Sequence, residues 1–114
     1  MIKNKTKNKI LTKEKRMCNS MISKATGLMF SKKNKDQGLI FTFNKTQKMS
    51  LHMLFVFYPI DVLFLDEKNK VVEIKENFSP FTFYTAKNKS KTFIELNNGL
   101  VKKTKTEVGD EILY

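Results

Sequence analysis

Short apolar runs set apart by polar clusters place the strongest constraint on this chain. Four clusters, Ser31–Gln37, Asn44–Lys48, Asp66–Lys70 and Lys87–Lys91, punctuate it, and the runs between them are rich in Phe, Ile, Val and Leu. Runs of this length between turn signals read as strands. Residues 39–44, LIFTFN, alternate, so Leu39, Phe41 and Phe43 share one face. Met49–Tyr58 reads as a second strand that becomes apolar on both faces before Pro59, which cannot donate to a ladder. Ile60–Asp66 follows, closed by a turn at Asp66–Lys70. Val71–Asn77 returns as its hairpin partner, with Val72 and Ile74 inward and Glu73 and Lys75 outward. Phe81–Tyr84, Thr92–Asn97 and Glu111–Tyr114 complete the strands, the last one entered through the Gly-centred turn Glu107–Asp110. Helix signals are fewer. Cys18–Thr26 is one candidate, stopped by Gly27. The other is a turn from Asn97 or Asn98 to about Lys103, capped by an Asn side chain. The expected fold is mainly β, on the border of α+β. It is a compact β-sandwich or barrel, jelly-roll-like, with one or two short helices.

The 114 residues suffice for one domain. The formal net charge of +11 is concentrated: residues 1–16 carry seven basic side chains and one acid, Glu14. Few apolar residues accompany them, so residues 1–16 are expected to be a disordered basic tail and residues 17–114 a single β-rich domain. Of the 22 basic residues only Arg16 is an arginine. Lysine attracts phosphate diffusely and does not read bases. Nonspecific contact with a polyanion is therefore expected at Lys3, Lys5, Lys7 and Lys9, and should fade with salt. No apolar run reaches the ~18 residues of a membrane-spanning helix, and no apolar stretch of a secretory signal follows the basic segment. With a single Cys, a cytoplasmic protein is expected.

Metal and cofactor chemistry find little footing. His52 is the only His and Cys18 the only Cys, and no HExxH, Cys-x-x-Cys or Gly-rich phosphate loop occurs. No metal or cofactor is expected. A Cys18–His52 nucleophilic pair competes with a buried, inert thiol, the commoner state of a lone Cys. Asp61 is the odd residue, a carboxylate between Ile60 and Val62 in an apolar strand beside Pro59. Two readings stand. Asp61 accepts backbone N–H bonds and pins the bend at Pro59, or it lines a concave site with His52.

Several strings in order carry a resemblance: GLMF (27–30), GLIFTF (38–43), SLHM (50–53) and PIDVLFLDEKNKVVE (59–73). Phe93–Leu96, Gly99 and Val108–Asp110 complete the set. Over residues 17–114 the chain resembles domain-of-unknown-function family 192, found in bacteria and archaea, in its archaeal form. The Arg often found before Gly-Leu-Met-Phe is absent; Lys24, Ala25 and Thr26 stand there. The resemblance implies a small, mainly β fold, sandwich-like or jelly-roll-like, and no reaction. Its recurrent residues fall on Gly27, Met29, Phe30, Gly38, His52, Met53, Pro59, Asp61, Asp66 and Gly109. The expectation is an uncharacterised, non-enzymatic binding module for a small ligand or protein segment. Met29, His52, Met53 and Asp61 are its ligand-binding residues, and no residue is assigned as catalytic. The alternatives are a small hydrolase or transferase with His52 and Asp61 as base and orienter, and weak electrostatic binding of nucleic acid by residues 1–16.

Overall fold

The computed structural model of the chain describes residues 1–18, 36–52 and 58–114, with His52 placed by its backbone. Among the described residues, strands β1 (Ile2–Asn4), β2 (Lys9–Thr12), β3 (Glu14–Cys18), β4 (Gln37–His52), β5 (Ile60–Leu65), β6 (Val71–Phe78), β7 (Phe83–Asn97) and β8 (Ile112–Leu113) surround one short helix, α1 (Leu100–Thr104). They form two sheets, ordered β2-β1-β8 and β3-β4-β7-β5-β6. The larger sheet is antiparallel except where β3 runs parallel to β4. The expected run at 39–44 and residues 49–52 of the next one are joined in the 16-residue β4, residues 53–57 lying outside the described residues. Residues 83–84 of the expected run at 81–84 are joined to the run at 92–97 in the 15-residue β7.

Period-two alternation gives the larger sheet two buried faces. One face gathers Leu39, Phe41, Val62, Phe64 and Phe93, with Phe43 packed against them as the alternation predicts. Phe41 stacks on Phe93 with ring centroids 4.6 Å apart. The opposite face places Ile40, Leu63, Leu65, Ile94 and Leu96 against Ile2 of β1, Leu11 of β2, Val101 of α1 and Ile112 of β8. The small sheet and α1 thus cover the large sheet, and the open pair of layers is sandwich-like. Gly38 permits the close approach, because a Cβ there would collide with the side chain of Ile2.

Residues 1–16 depart from expectation. They are not a disordered tail: Ile2, Asn4, Leu11 and Thr12 are buried, and the expected boundary at 16/17 falls inside β3. Several hydrogen bonds of the segment's first half run to the far end of the chain. Asn4 donates to Thr106 Oγ1 at 3.0 Å and to Asp110 Oδ2 at 2.9 Å. Lys7 Nζ donates to both Asp110 oxygens and to Glu107, and the Lys5 ammonium lies 3.8 Å from Glu111. Two of the four lysines expected to meet a polyanion therefore neutralise acids of their own chain.

Glu73 also departs. A register shift between Phe64 and Leu65 interrupts the alternation of β6: Val72 and Ile74 still pack inward, Val72 against the Phe-rich face and Ile74 against the opposite one, but Glu73, expected outward, is buried as well. Cys18 ends β3 and does not start a helix; residues 19–35, and with them the rest of that helix expectation, lie outside the described residues. The expected turns hold. Asp66 Oδ1 accepts the amides of Lys68 and Lys70 at 2.8 and 2.9 Å, and Gly109 takes the left-handed conformation at φ 99°.

Candidate functional site

Asp61 is 1% exposed, opposite Leu96 of β7. Its carboxylate is fully engaged. Oδ1 accepts the Asn77 amide at 3.0 Å and the Asn98 side chain at 3.3 Å, and Oδ2 accepts the amides of Gly99 and Val101, each at 3.0 Å. Asn77 (φ 53°) and Gly99 (φ 92°) both adopt left-handed backbone in presenting these amides. Gly99 is the residue before α1 and has no side-chain cap of its own, so the expected Asn cap is replaced by a carboxylate from a distant strand. A buried charge costs several kcal/mol unless it is paired or hydrogen-bonded. Four donors from β6 and the start of α1 meet that demand. The donors do not come from the bend at Pro59; Asp61 ties β5 to β6 and to the start of α1.

The structure does not bring His52 and Asp61 together. His52 pairs with Phe83 and Asp61 with Leu96, at opposite ends of β7. At about 3.3 Å per residue those positions are far beyond hydrogen-bond reach. The base-and-orienter pair is thereby overturned. Met29 and Met53 lie outside the described residues.

Beside the Asp61 corner lies an open cleft of about 430 Å³. Ile10, Leu11 and Lys13 form one wall, Asn97, Leu100, Lys103 and Thr104 the other, and Asp36 closes the end. Asp36 Oδ1 accepts the Lys13 amide at 3.0 Å. The wall from α1 is held from both ends. Asp61 fixes its first turn. Thr104 Oγ1, which donates to the Leu100 carbonyl at 2.8 Å, lies 2.7 Å from Thr106 Oγ1, the acceptor of the Asn4 bond. Asp110 anchors that chain. Burial pushes its carboxyl upward, but bonds from Asn4, Lys7 and the Glu107 amide outweigh this and hold it below its ordinary 3.8.

Two further acids were not singled out by the sequence. Glu73 accepts the amides of Lys87 and Asn88, the Asn88 side chain and the Tyr84 hydroxyl. Desolvation raises its carboxyl, yet these bonds together keep it below 4.5, while burial and Glu73 push Tyr84 to about 12. Glu95 is buried on the Phe-rich face, opposite Leu39 and Val62. Burial first, then the Glu95 charge, raises Tyr58 to about 12. Burial also raises the Cys18 thiol, opposed by Arg16 and assisted by Glu95. A raised thiol is a poor nucleophile, in keeping with the inert reading of Cys18. The Phe93–Leu96 motif was the one sequence signal for Glu95.

Comparison with known proteins agrees with the fold. Residues 2–114 match the family DUF192, described as Uncharacterized ACR. The chain is 35% identical to a UPF0127 protein of Pyrococcus horikoshii, covering 100% of this chain and 98% of that one. It is 34% identical to a UPF0127 protein of Thermococcus sibiricus, covering 98% and 73%. Two crystal structures share the fold. A protein of unknown function from Novosphingobium aromaticivorans has TM-score 0.79 and 23% identity, over 88% of this chain and 74% of that one. A putative transcription regulator from Sinorhizobium meliloti has TM-score 0.80 and 24% identity, over 87% and 79%.

Proposed function

The chain belongs to the DUF192 family of uncharacterised proteins, and we propose that within it this protein is a non-enzymatic binding module that takes a small ligand or protein segment in the cleft between β2 and α1. One observation carries the reading: a concave site of about 430 Å³ in which Ile10, Leu11 and Leu100 lie among the polar side chains of Lys13, Asp36, Asn97, Lys103 and Thr104. Pockets for small ligands run about 300–1,000 Å³, and the cleft falls within that range. Ile10, Leu11 and Leu100 supply the apolar contact; Lys13 and Lys103 supply charge on facing walls. Asp61 serves as a positioning residue, since its oxygens are occupied by the amides that start α1. The carboxylates of Asp61, Glu73 and Asp110 are all engaged in holding strands and turns together, which favours binding over acid–base catalysis. The free, buried thiol of Cys18 fits the cytoplasm, the compartment this reading assumes.

Titration with octanoate, followed by amide NMR, tests the cleft. The expected result is saturable shifts at Leu11, Leu100, Lys103 and Thr104, weakened in Lys103→Gln. Shifts confined to other surfaces, or none that saturate, would overturn the assignment.

A further inference from the structure

We propose that the outer half of the β4–β7 ribbon binds single-stranded nucleic acid, with lysines on the phosphates and a base stacked on Phe83. The ribbon pairs β4 with β7 from Gln47 opposite Ser90 to His52 opposite Phe83. Its inner side belongs to the Phe-rich core through Met49, Leu51 and Ala86. Its outer side faces solvent, with Phe83, Thr85 and Lys87 alternating with the inward Tyr84 and Ala86.

Charge sets this surface apart. No Asp or Glu occurs in residues 37–58 or 78–94, whereas Lys45, Lys48, Lys87, Lys89 and Lys91 do. The ion pairs between described residues run from Lys5 and Lys7 to Glu107, Asp110 and Glu111, and none of them involves these five lysines. Phe83 is 79% exposed and Phe81, in the adjoining turn, 60%. Phe is ordinarily among the more buried residues. The turn is held in shape: Thr82 Oγ1 donates to the Ser79 carbonyl at 2.6 Å, and Phe81 sits at φ 63°. A preformed turn that displays a ring loses little freedom on binding.

Exposed rings beside uncompensated lysines are the components of a sequence-tolerant single-strand site. Every base offers a face to stack, and lysine neutralises phosphate without reading sequence. An anionic bilayer offers the same charge. It calls for a broader apolar face than two rings set among lysines, Ser50 and Thr85, so the observations favour the nucleic acid.

Fluorescence polarisation of the full chain with labelled oligothymidylate and oligouridylate of about 20 nucleotides tests this, the two probes separating DNA from RNA. The expected result is binding to one or both that weakens steeply with salt. Phe83→Ala should weaken it at least about 5-fold. Replacing both Lys87 and Lys89 by Gln should reduce the slope of log affinity against log salt by about 1.4. All of these side chains are exposed, so unfolding curves should stay unchanged. Lys13→Gln with Lys103→Gln, in the cleft, should leave oligonucleotide affinity unchanged, which keeps this test separate from that of the cleft. No binding at low salt would overturn the proposal, as would full affinity in the ribbon variants. Binding to phosphatidylserine vesicles without binding to either oligonucleotide would overturn it in favour of a membrane.

Discussion

The corner where β5, β6 and α1 meet and the outer ribbon of β4 and β7 treat charge in opposite ways. At the corner, Asp61 is buried and saturated by four donors, and nearby Asp110 is held by Asn4, Lys7 and the Glu107 amide. On the ribbon, lysines stand in solvent with no acid in either strand segment. A charge matched by donors on all sides holds a fold together. A charge left in water with no counterpart is available to a partner. The cleft lies beside the corner, with walls made rigid by matched charges.

The largest test of this contrast is Asp61→Ala. It would strand the amides of Asn77, Gly99 and Val101 in a buried corner and should cost about 3–5 kcal/mol in urea unfolding. A cost below about 1 kcal/mol would place Asp61 among the dispensable charges of the ribbon. Next is Glu73→Gln, which keeps the shape but removes the charge that receives the Lys87 and Asn88 amides. It should cost about 2 kcal/mol near neutral pH. The sign with pH follows from the lowered folded value. Stability from Glu73 is fully present above its ordinary 4.5 and is lost as pH falls through the lower folded value. Acid titration of unfolding should therefore show wild type and variant converging below pH 4.5. Asp110 acts in the same direction below its ordinary 3.8.

A smaller effect is expected at Lys105, which ends α1 in the left-handed conformation at φ 57°. Lys105→Gly relieves that strain and should raise stability by about 1 kcal/mol in the same assay. Smallest of all, Lys45→Gln and Lys48→Gln on the ribbon should each stay within about 0.5 kcal/mol of wild type.

Much of this was legible in the sequence, and the failures have physical causes. Alternation placed Leu39, Phe41 and Phe43 on one face, because a strand's side-chain period is set by its own backbone. Asp66 and Gly109 announced their turns for the same local reason. The segment 1–16 was misread because alternating Lys and Asn look solvated until their partners are known. Asn4 is buried only because Asp110 and Thr106 come to it across more than 100 residues. Glu73 was assigned outward because a single bulge interrupts the alternation of a strand, and no local signal marks it. Asp61 was recognised as unusual, but its donors come from Asn77, Asn98, Gly99 and Val101, so only the tertiary fold could decide between its two readings.

The central claim is that Asp61 holds the start of α1 and thereby shapes the cleft. Native-state hydrogen exchange of the Asn77, Gly99 and Val101 amides in wild type and Asp61→Asn tests it most directly. The account predicts protected amides in wild type and exchange at least about tenfold faster at all three in the variant, equivalent to about 1.4 kcal/mol each. Unchanged exchange at those three amides, together with lost binding in the cleft, would contradict it and make Asp61 a ligand contact.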